Sequence, residues 1–149
     1  MKSKNFKLKD KFGKPHELND FKEKYKVIYF YPKDNTPGCT IEANQFSELL
    51  KDFKKLSTKI IGISGGDEKS KTKFCEKYNL KVLLLSDPDF KVSKDFKVYG
   101  EKSFMGRKFL GINRRTFILD KNNNILKVYE KVNALGHAKE VLDFIKELK

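Results

Sequence analysis

The run Val27-Ile28-Tyr29-Phe30-Tyr31-Pro32-Lys33-Asp34-Asn35-Thr36-Pro37-Gly38-Cys39-Thr40 decides the fold. Val27–Tyr31 is a continuous β-branched and aromatic stretch, the pattern of a strand buried on both faces. Pro32 ends it. Thr36 is a good helix N-cap and Pro37 fits the first helical position, so a helix starts there. A buried strand feeding straight into a helix is the opening of a strand–helix–strand unit.

Working outward, the alternation of periods continues. The helical pattern runs from Pro37 to Leu56. Lys59–Ser64 carries Ile60, Ile61 and Ile63 and is stopped by Gly65-Gly66, a second buried strand. Asp67–Tyr78 reads as a helix and Val82–Leu85 as a third strand. Asp87-Pro88-Asp89 turns into a short helix through Tyr99. Arg115–Leu119 and Ile125–Tyr129 bracket Asp120–Asn124 as a hairpin. Gly136–Leu148 closes the chain as an amphipathic helix, with Val141, Leu142, Ile145 and Leu148 on one face. Upstream, Phe6–Leu8 and His16–Leu18 flank the turn Phe12-Gly13-Lys14-Pro15 and read as a hairpin. The sum is an α/β thioredoxin-like fold. A central mixed sheet is flanked by helices, with an N-terminal β-hairpin extension. At 149 residues, with neither repeat nor low-complexity linker, the chain is expected to form a single domain over 1–149.

Charge and composition narrow the function. The formal net charge is +13, which invites a nucleic-acid reading, but the lysines are spread along the chain and form no Arg-rich block. A lysine-rich solvated surface accounts for them, so no specific nucleic-acid partner is expected. No apolar run is long enough for a membrane span, and Met1–Phe6 has no apolar signal core. The expected compartment is the cytoplasm. The two cysteines, Cys39 and Cys75, form neither a disulfide scaffold nor a zinc spacing. They are inert core thiols or a reactive pair.

Cys39 lies three residues past the cap, in the first helical turn, where unpaired backbone N–H groups and the helix dipole favour thiolate over thiol. It also heads an apolar stripe of Cys39, Ala43, Phe46, Leu50 and Phe53, as a small core residue would. In α/β sheets, however, the carboxyl edge of the strands is where ligands bind. A side chain facing the sheet at that edge faces a pocket. Elsewhere the plainer readings hold. His137 is structural or on the surface, His16 belongs to no constellation, and Asp87 and Asp89 are capping residues.

Pro32-x-x-x-Thr36-x-x-Cys39 resembles the peroxiredoxin active-site motif, and the string Tyr29–Thr40 followed by Glu42-Ala43 is similar to the bacterioferritin-comigratory, or Q, subfamily. Gly111-Ile112-Asn113-Arg114, Thr116–Asp120 and Gly136-His137 extend the resemblance in order over nearly the whole chain. It implies a thiol peroxidase for hydrogen peroxide and organic hydroperoxides, with no metal or organic cofactor. Cys39 would be the nucleophile. Thr36 would offer its hydroxyl to peroxide and sulfur, and Pro32 would shield the pocket. Arg114 would polarise the peroxide, with Glu42 holding the arginine. Family register selects Arg114 over Arg115, which then becomes a solvated surface group.

In many members of the subfamily a resolving cysteine follows five residues after the first; here that position is Asn44. Other members place it on the next helix, as Cys75 is placed. Phe74 and Tyr78 make that helix's core contacts, leaving Cys75 on the rim and partly accessible. The implied reductant is thioredoxin or a glutaredoxin-like donor, and the implied state is a monomer or weak dimer. A thiol–disulfide oxidoreductase would want a CxxC, which Thr36-Pro37-Gly38-Cys39 lacks. A non-catalytic polyanion-binding module rests on charge alone.

Overall fold

A computed structural model describes residues 2–148. The elements, in chain order, begin with β1 (Lys7–Lys9) and β2 (Pro15–Glu17), a 3-10 turn at Leu18–Asp20, and β3 (Tyr25–Phe30). There follow α1 (Pro37–Glu48), α2 (Leu50–Lys55), β4 (Thr58–Ser64), α3 (Glu68–Tyr78) and β5 (Leu83–Ser86). The second half holds α4 (Lys91–Asp95), β6 (Tyr99–Phe104), β7 (Arg107–Ile112), β8 (Arg115–Asp120), β9 (Ile125–Tyr129) and α5 (His137–Glu147).

One mixed sheet carries the order β2-β1-β5-β4-β3-β8-β9. β3, β4 and β5 run parallel, joined by helical crossovers, and β8 pairs antiparallel with β3. β3 is therefore an interior strand, paired along its length on both sides. Its side chains alternate between two cores, as the two-residue period of a strand requires. Val27, Tyr29 and Tyr31 meet α1, α2, α3 and α5 in one apolar cluster. Ile28 and Phe30 enter the other with Ile61, Ile63, Phe117 and Val92 of α4. The N-terminal hairpin extends the same sheet, since β1 adds antiparallel to β5 through Lys9 and Ser86.

Three sequence expectations change. The helix expected from Pro37 to Leu56 is broken at Leu49, whose N–H is shared among the carbonyls of Gln45, Phe46 and Ser47. The short helix expected to reach Tyr99 stops at Asp95. Lys97 takes a left-handed turn (φ +60°) and the Val98 N–H bonds back to the Ser93 carbonyl, redirecting the chain. Beyond it, β6 and β7 form a separate two-stranded hairpin that the sequence reading missed. Its turn has Met105 and Gly106 both at positive φ, the geometry of a two-residue hairpin turn. Neither the Asn-Gly turn signal nor a buried face marks it, because Met105, Phe109 and Leu110 all stand exposed.

One glycine is demanded by packing. A Cβ on Gly62 would lie 2.6–2.8 Å from Leu84 Cδ2 and from the ring end of Tyr29. Gly62→Ala is therefore expected to lower stability by about 1–3 kcal/mol, the usual range for overpacking, read as a shifted urea midpoint at unchanged slope. An unchanged midpoint would show that Tyr29 has room to move.

Candidate active site

Cys39 sits in the first turn of α1, directly after the β3–α1 loop, and is buried. Cys39, Glu42, Ala43 and Phe46 share the buried face of α1. Phe46 stacks on Tyr29 with ring centroids 4.7 Å apart, which fixes the helix against β3. The position predicted for Cys39 is thus part of the core. Both cysteines are free thiols in the same apolar cluster.

Arg114 precedes β8, which neighbours β3, and its guanidinium reaches across to α1. Nη2 donates to Cys39 Sγ at 3.3 Å and Nη1 to Glu42 Oε1 at 2.6 Å. Glu42 is wholly buried, and Arg114 is the partner for its charge. Gly38 makes this approach possible, because a Cβ there would lie 3.0 Å from Arg114 Nη2. Burial works against the Arg114 charge, but Cys39 and Glu42 outweigh it and hold its pKa above the ordinary arginine value. For Glu42 burial wins. Its pKa is pushed up to about 7 despite Arg114, and its Oε2 has no hydrogen-bond partner among the described residues.

Thr36 occupies the N-cap position, but its side chain caps nothing. Its hydroxyl donates instead to the Lys33 carbonyl at 2.9 Å, tightening the loop and leaving its lone pairs free to accept. Pro32 is half-buried just past the end of β3. Arg115 is not the solvated group expected. It is half-buried and donates to the Lys97 carbonyl at 3.1 Å, which braces the turn before the β6–β7 hairpin.

Cys75 also departs from expectation. It is 6% exposed, where partial access was expected. The cause is the end of α3. Asn79 turns left-handed, the Leu80 N–H bonds to the Cys75 carbonyl, and Leu80 and Val82 join Cys75 in the same buried cluster. Burial pushes the Cys75 pKa up, offset in part by Lys11 and Lys71.

Two residues at or near the site went unread in the sequence. Lys102, on β6, feels Arg114 and Cys39 and donates to the Ile112 carbonyl at 2.8 Å. Burial, then Arg114, pulls its pKa down. Only the missed hairpin brings it there. Asp34, in the β3–α1 loop, is buried against Lys71 of α3; the clue was a lysine heading the apolar stripe Lys71, Phe74, Tyr78. The plainer readings of the histidines and turn aspartates hold. His137 is buried between Thr116 Oγ1 (2.8 Å) and Glu140 Oε1 (2.9 Å), and burial lowers its pKa. His16 pairs with Asp10 at 2.8 Å. Asp87 caps α4 by accepting from the Val92 and Ser93 N–H groups.

Comparison with known proteins agrees with this geometry. The chain matches the AhpC/TSA family over residues 1–128. It is 42% identical over 139 residues to a putative peroxiredoxin Bcp of Helicobacter pylori strain J99, covering 93% of this chain and 91% of the relative. The fold superposes with TM-score 0.92 on the Xanthomonas campestris bacterioferritin comigratory protein. Identity is 37%, with 97% and 91% of the two chains covered, and that structure concerns alkyl peroxide reduction. Peroxiredoxin Q of the same organism has been solved as two cysteine-to-serine variants, 38% identical to this chain, with TM-scores of 0.89 and 0.90. They cover 96% and 97% of this chain and 90% and 92% of theirs. The chain therefore belongs to the AhpC/TSA family, the thiol-dependent peroxidases called peroxiredoxins, and within them to the bacterioferritin-comigratory, or Q, type.

Two outcomes test the site. Arg114→Ala is expected to slow peroxide consumption by about 100-fold or more, as losing one preorganised charge-stabilising donor does, while Arg115→Ala costs about threefold or less, acting only through a bent turn. The reverse ranking would misplace the catalytic arginine by one residue. The second outcome concerns pH. As pH falls through about 7, Glu42 takes a proton and loses its charge-assisted hold on Arg114. The attack rate should decline on that limb, and Glu42→Gln should lack the limb. Stability moves the other way. The folded state holds the extra proton between the ordinary value of 4.5 and about 7, so Glu42 makes the fold less stable as pH rises through that window. Thermal melts of Glu42→Gln should lose that slope.

Proposed function

We propose that this chain reduces hydrogen peroxide and organic hydroperoxides with Cys39 as the attacking thiolate and Cys75 as the resolving thiol. The observation that carries the reading is the bridge from buried Glu42 through Arg114 to Cys39 Sγ. A guanidinium N–H held 3.3 Å from the sulfur puts a positive charge beside the atom that would attack and the oxygen that would depart.

In the first step the sulfur lone pair forms an S–O bond as the O–O bond breaks. The electron pair leaves with the other oxygen, which takes a proton and departs as water or alcohol. Arg114 stabilises that moving charge, and the free lone pairs of Thr36 accept the peroxide O–H. Pro32 keeps water from the pocket. Cys39 is left as a sulfenic acid. In the second step the Cys75 sulfur attacks the Cys39 sulfur, an S–S bond forms, and the S–OH bond breaks with release of water. A thioredoxin-type or glutaredoxin-like dithiol then reduces the disulfide by exchange. Support for Cys75 comes from the Xanthomonas campestris pair of variants. Their substituted cysteines stand as far apart in that chain as Cys39 and Cys75 do here.

We read the whole cycle as the work of one domain over 1–149 in a monomer or weak dimer. The cytoplasm suits it, as a compartment that keeps both thiols reduced. No membrane and no specific nucleic acid enter the cycle.

The decisive experiment pairs two variants. Cys39→Ser should abolish peroxide consumption while retaining the fold. Cys75→Ser should react once, stall as a sulfenic acid detectable by mass, and lose thioredoxin-supported turnover. Wild-type protein should form an intramolecular disulfide after one equivalent of peroxide. Normal turnover by Cys75→Ser would mean that an external thiol resolves Cys39.

A further inference from the structure

The loop that delivers Cys39 is tied to the helix that carries Cys75 by a buried polar network. Asp34, five residues before Cys39, is 6% exposed and its carboxylate collects four donors. Oδ1 accepts from Tyr31 Oη (2.6 Å) and Ser64 Oγ (3.4 Å). Oδ2 accepts from Ser70 Oγ (2.7 Å) and Lys71 Nζ (2.9 Å). Lys71 is fully buried, and its other two N–H groups go to Ser64 Oγ (2.6 Å) and the Gly66 carbonyl (3.2 Å). Every proton of the ammonium is used. Gly66 leaves the room, because a Cβ there would run into Asp34 Oδ2.

A second tie lies farther along the same helix. Tyr78 Oη donates to Asn35 Oδ1 at 2.9 Å. Lys71, Cys75 and Tyr78 follow at spacings of four and three, so they share one face of α3. Cys75 thus sits between two points at which α3 grips residues 34 and 35. In place it is buried and its thiol is held protonated by that burial, so it is a poor nucleophile where it stands. It must emerge to react. Unwinding α3 draws Lys71 away from Asp34, and unwinding the start of α1 draws Asp34 away from Lys71. If only one partner leaves, a buried charge is stranded, so both must reach water together.

We propose that the Asp34–Lys71 ion pair is a positioning device for the resolving step, latching the Cys39 loop to α3 so that its opening gates disulfide formation. The proposal rests on the reading of Cys75 as the resolving residue.

Full-length wild type, Asp34→Asn and Lys71→Met are mixed with hydrogen peroxide, quenched in alkylating acid and followed by mass spectrometry. Three quantities are read: the rate of sulfenic acid formation, the rate of disulfide formation, and the peroxide dose for half over-oxidation to sulfinic acid. A weakened latch opens more often. Each variant should form the disulfide about tenfold faster and need a correspondingly higher dose for over-oxidation. Sulfenic acid formation should be unchanged or slower. Ser70→Ala, which removes one donor and leaves the ion pair, should shift the same quantities in the same direction by a smaller factor. It serves if the charge variants do not fold. Wild-type hydrogen exchange needs no variant: amides of 34–40 and 68–78 should open with one common free energy. Disulfide formation at the wild-type rate or slower in the variants, or separate opening of the two segments, overturns the latch. Wild type that forms no Cys39–Cys75 disulfide overturns the resolving assignment itself, a result distinct from a disulfide formed at a rate the variants do not alter.

Discussion

The site depends on one carboxylate kept where carboxylates are costly. Glu42 is buried on the inner face of α1 with a single cation for a partner. Burying an ion without compensation is expensive, and Arg114 supplies the compensation from the neighbouring sheet. The same contact leaves the other guanidinium nitrogen aimed at Cys39. One ion pair therefore joins α1 to the start of β8 and also sets the electrostatics at the reactive sulfur. Gly38 is the local concession that lets the guanidinium approach so closely. Glu42 Oε2 has no partner among the described residues, and burial lifts the carboxyl's pKa to about 7 against the pull of Arg114.

Around this pair the fold is a rigid frame with one looser side. β3 is paired along its length with β4 and β8, and its alternating side chains fill two cores. Cys39 is delivered at the carboxyl end of that strand. α3 is different. Its buried face includes a lysine and a thiol beside Phe74, so the loop is gripped by polar contacts as much as by apolar burial. A buried ion pair that loses one side strands the charge of the other, so the two sides of such a contact reach water together.

Much of this was legible in the sequence, for reasons that differ by element. The central strands declared themselves because both faces are buried, which leaves unbroken apolar runs such as Val27–Tyr31. The start of α1 was written in Thr36-Pro37, although the Thr36 hydroxyl turned back to Lys33 where an N-cap contact was expected. Cys39, Glu42 and Arg114 were legible through their motif. Their joint geometry was not, because it depends on β8 lying beside β3. The β6–β7 hairpin left no trace, since an exposed two-stranded ribbon needs no amphipathic pattern. Lys102 was lost with it. Cys75 was misplaced because the cluster that buries it draws on residues beyond α3, whose period alone was being read. Asp34 and Lys71 went unread, as the burial of an ion pair becomes visible only when both partners are placed.

The strand order has a consequence for how the molecule behaves among its own copies. β5 would end the parallel part of the sheet with a row of open amides and carbonyls, but β1 covers its end and β2 covers β1. The outermost strand is thus Pro15-His16-Glu17, too short to template another chain and short of one amide at its proline. The opposite border, β9, carries Lys127 at its centre within a protein of net charge +13. The β2 border is therefore closed to another strand, whereas β9 relies on Lys127 alone, with Leu126 and Val128 exposed on either side of it.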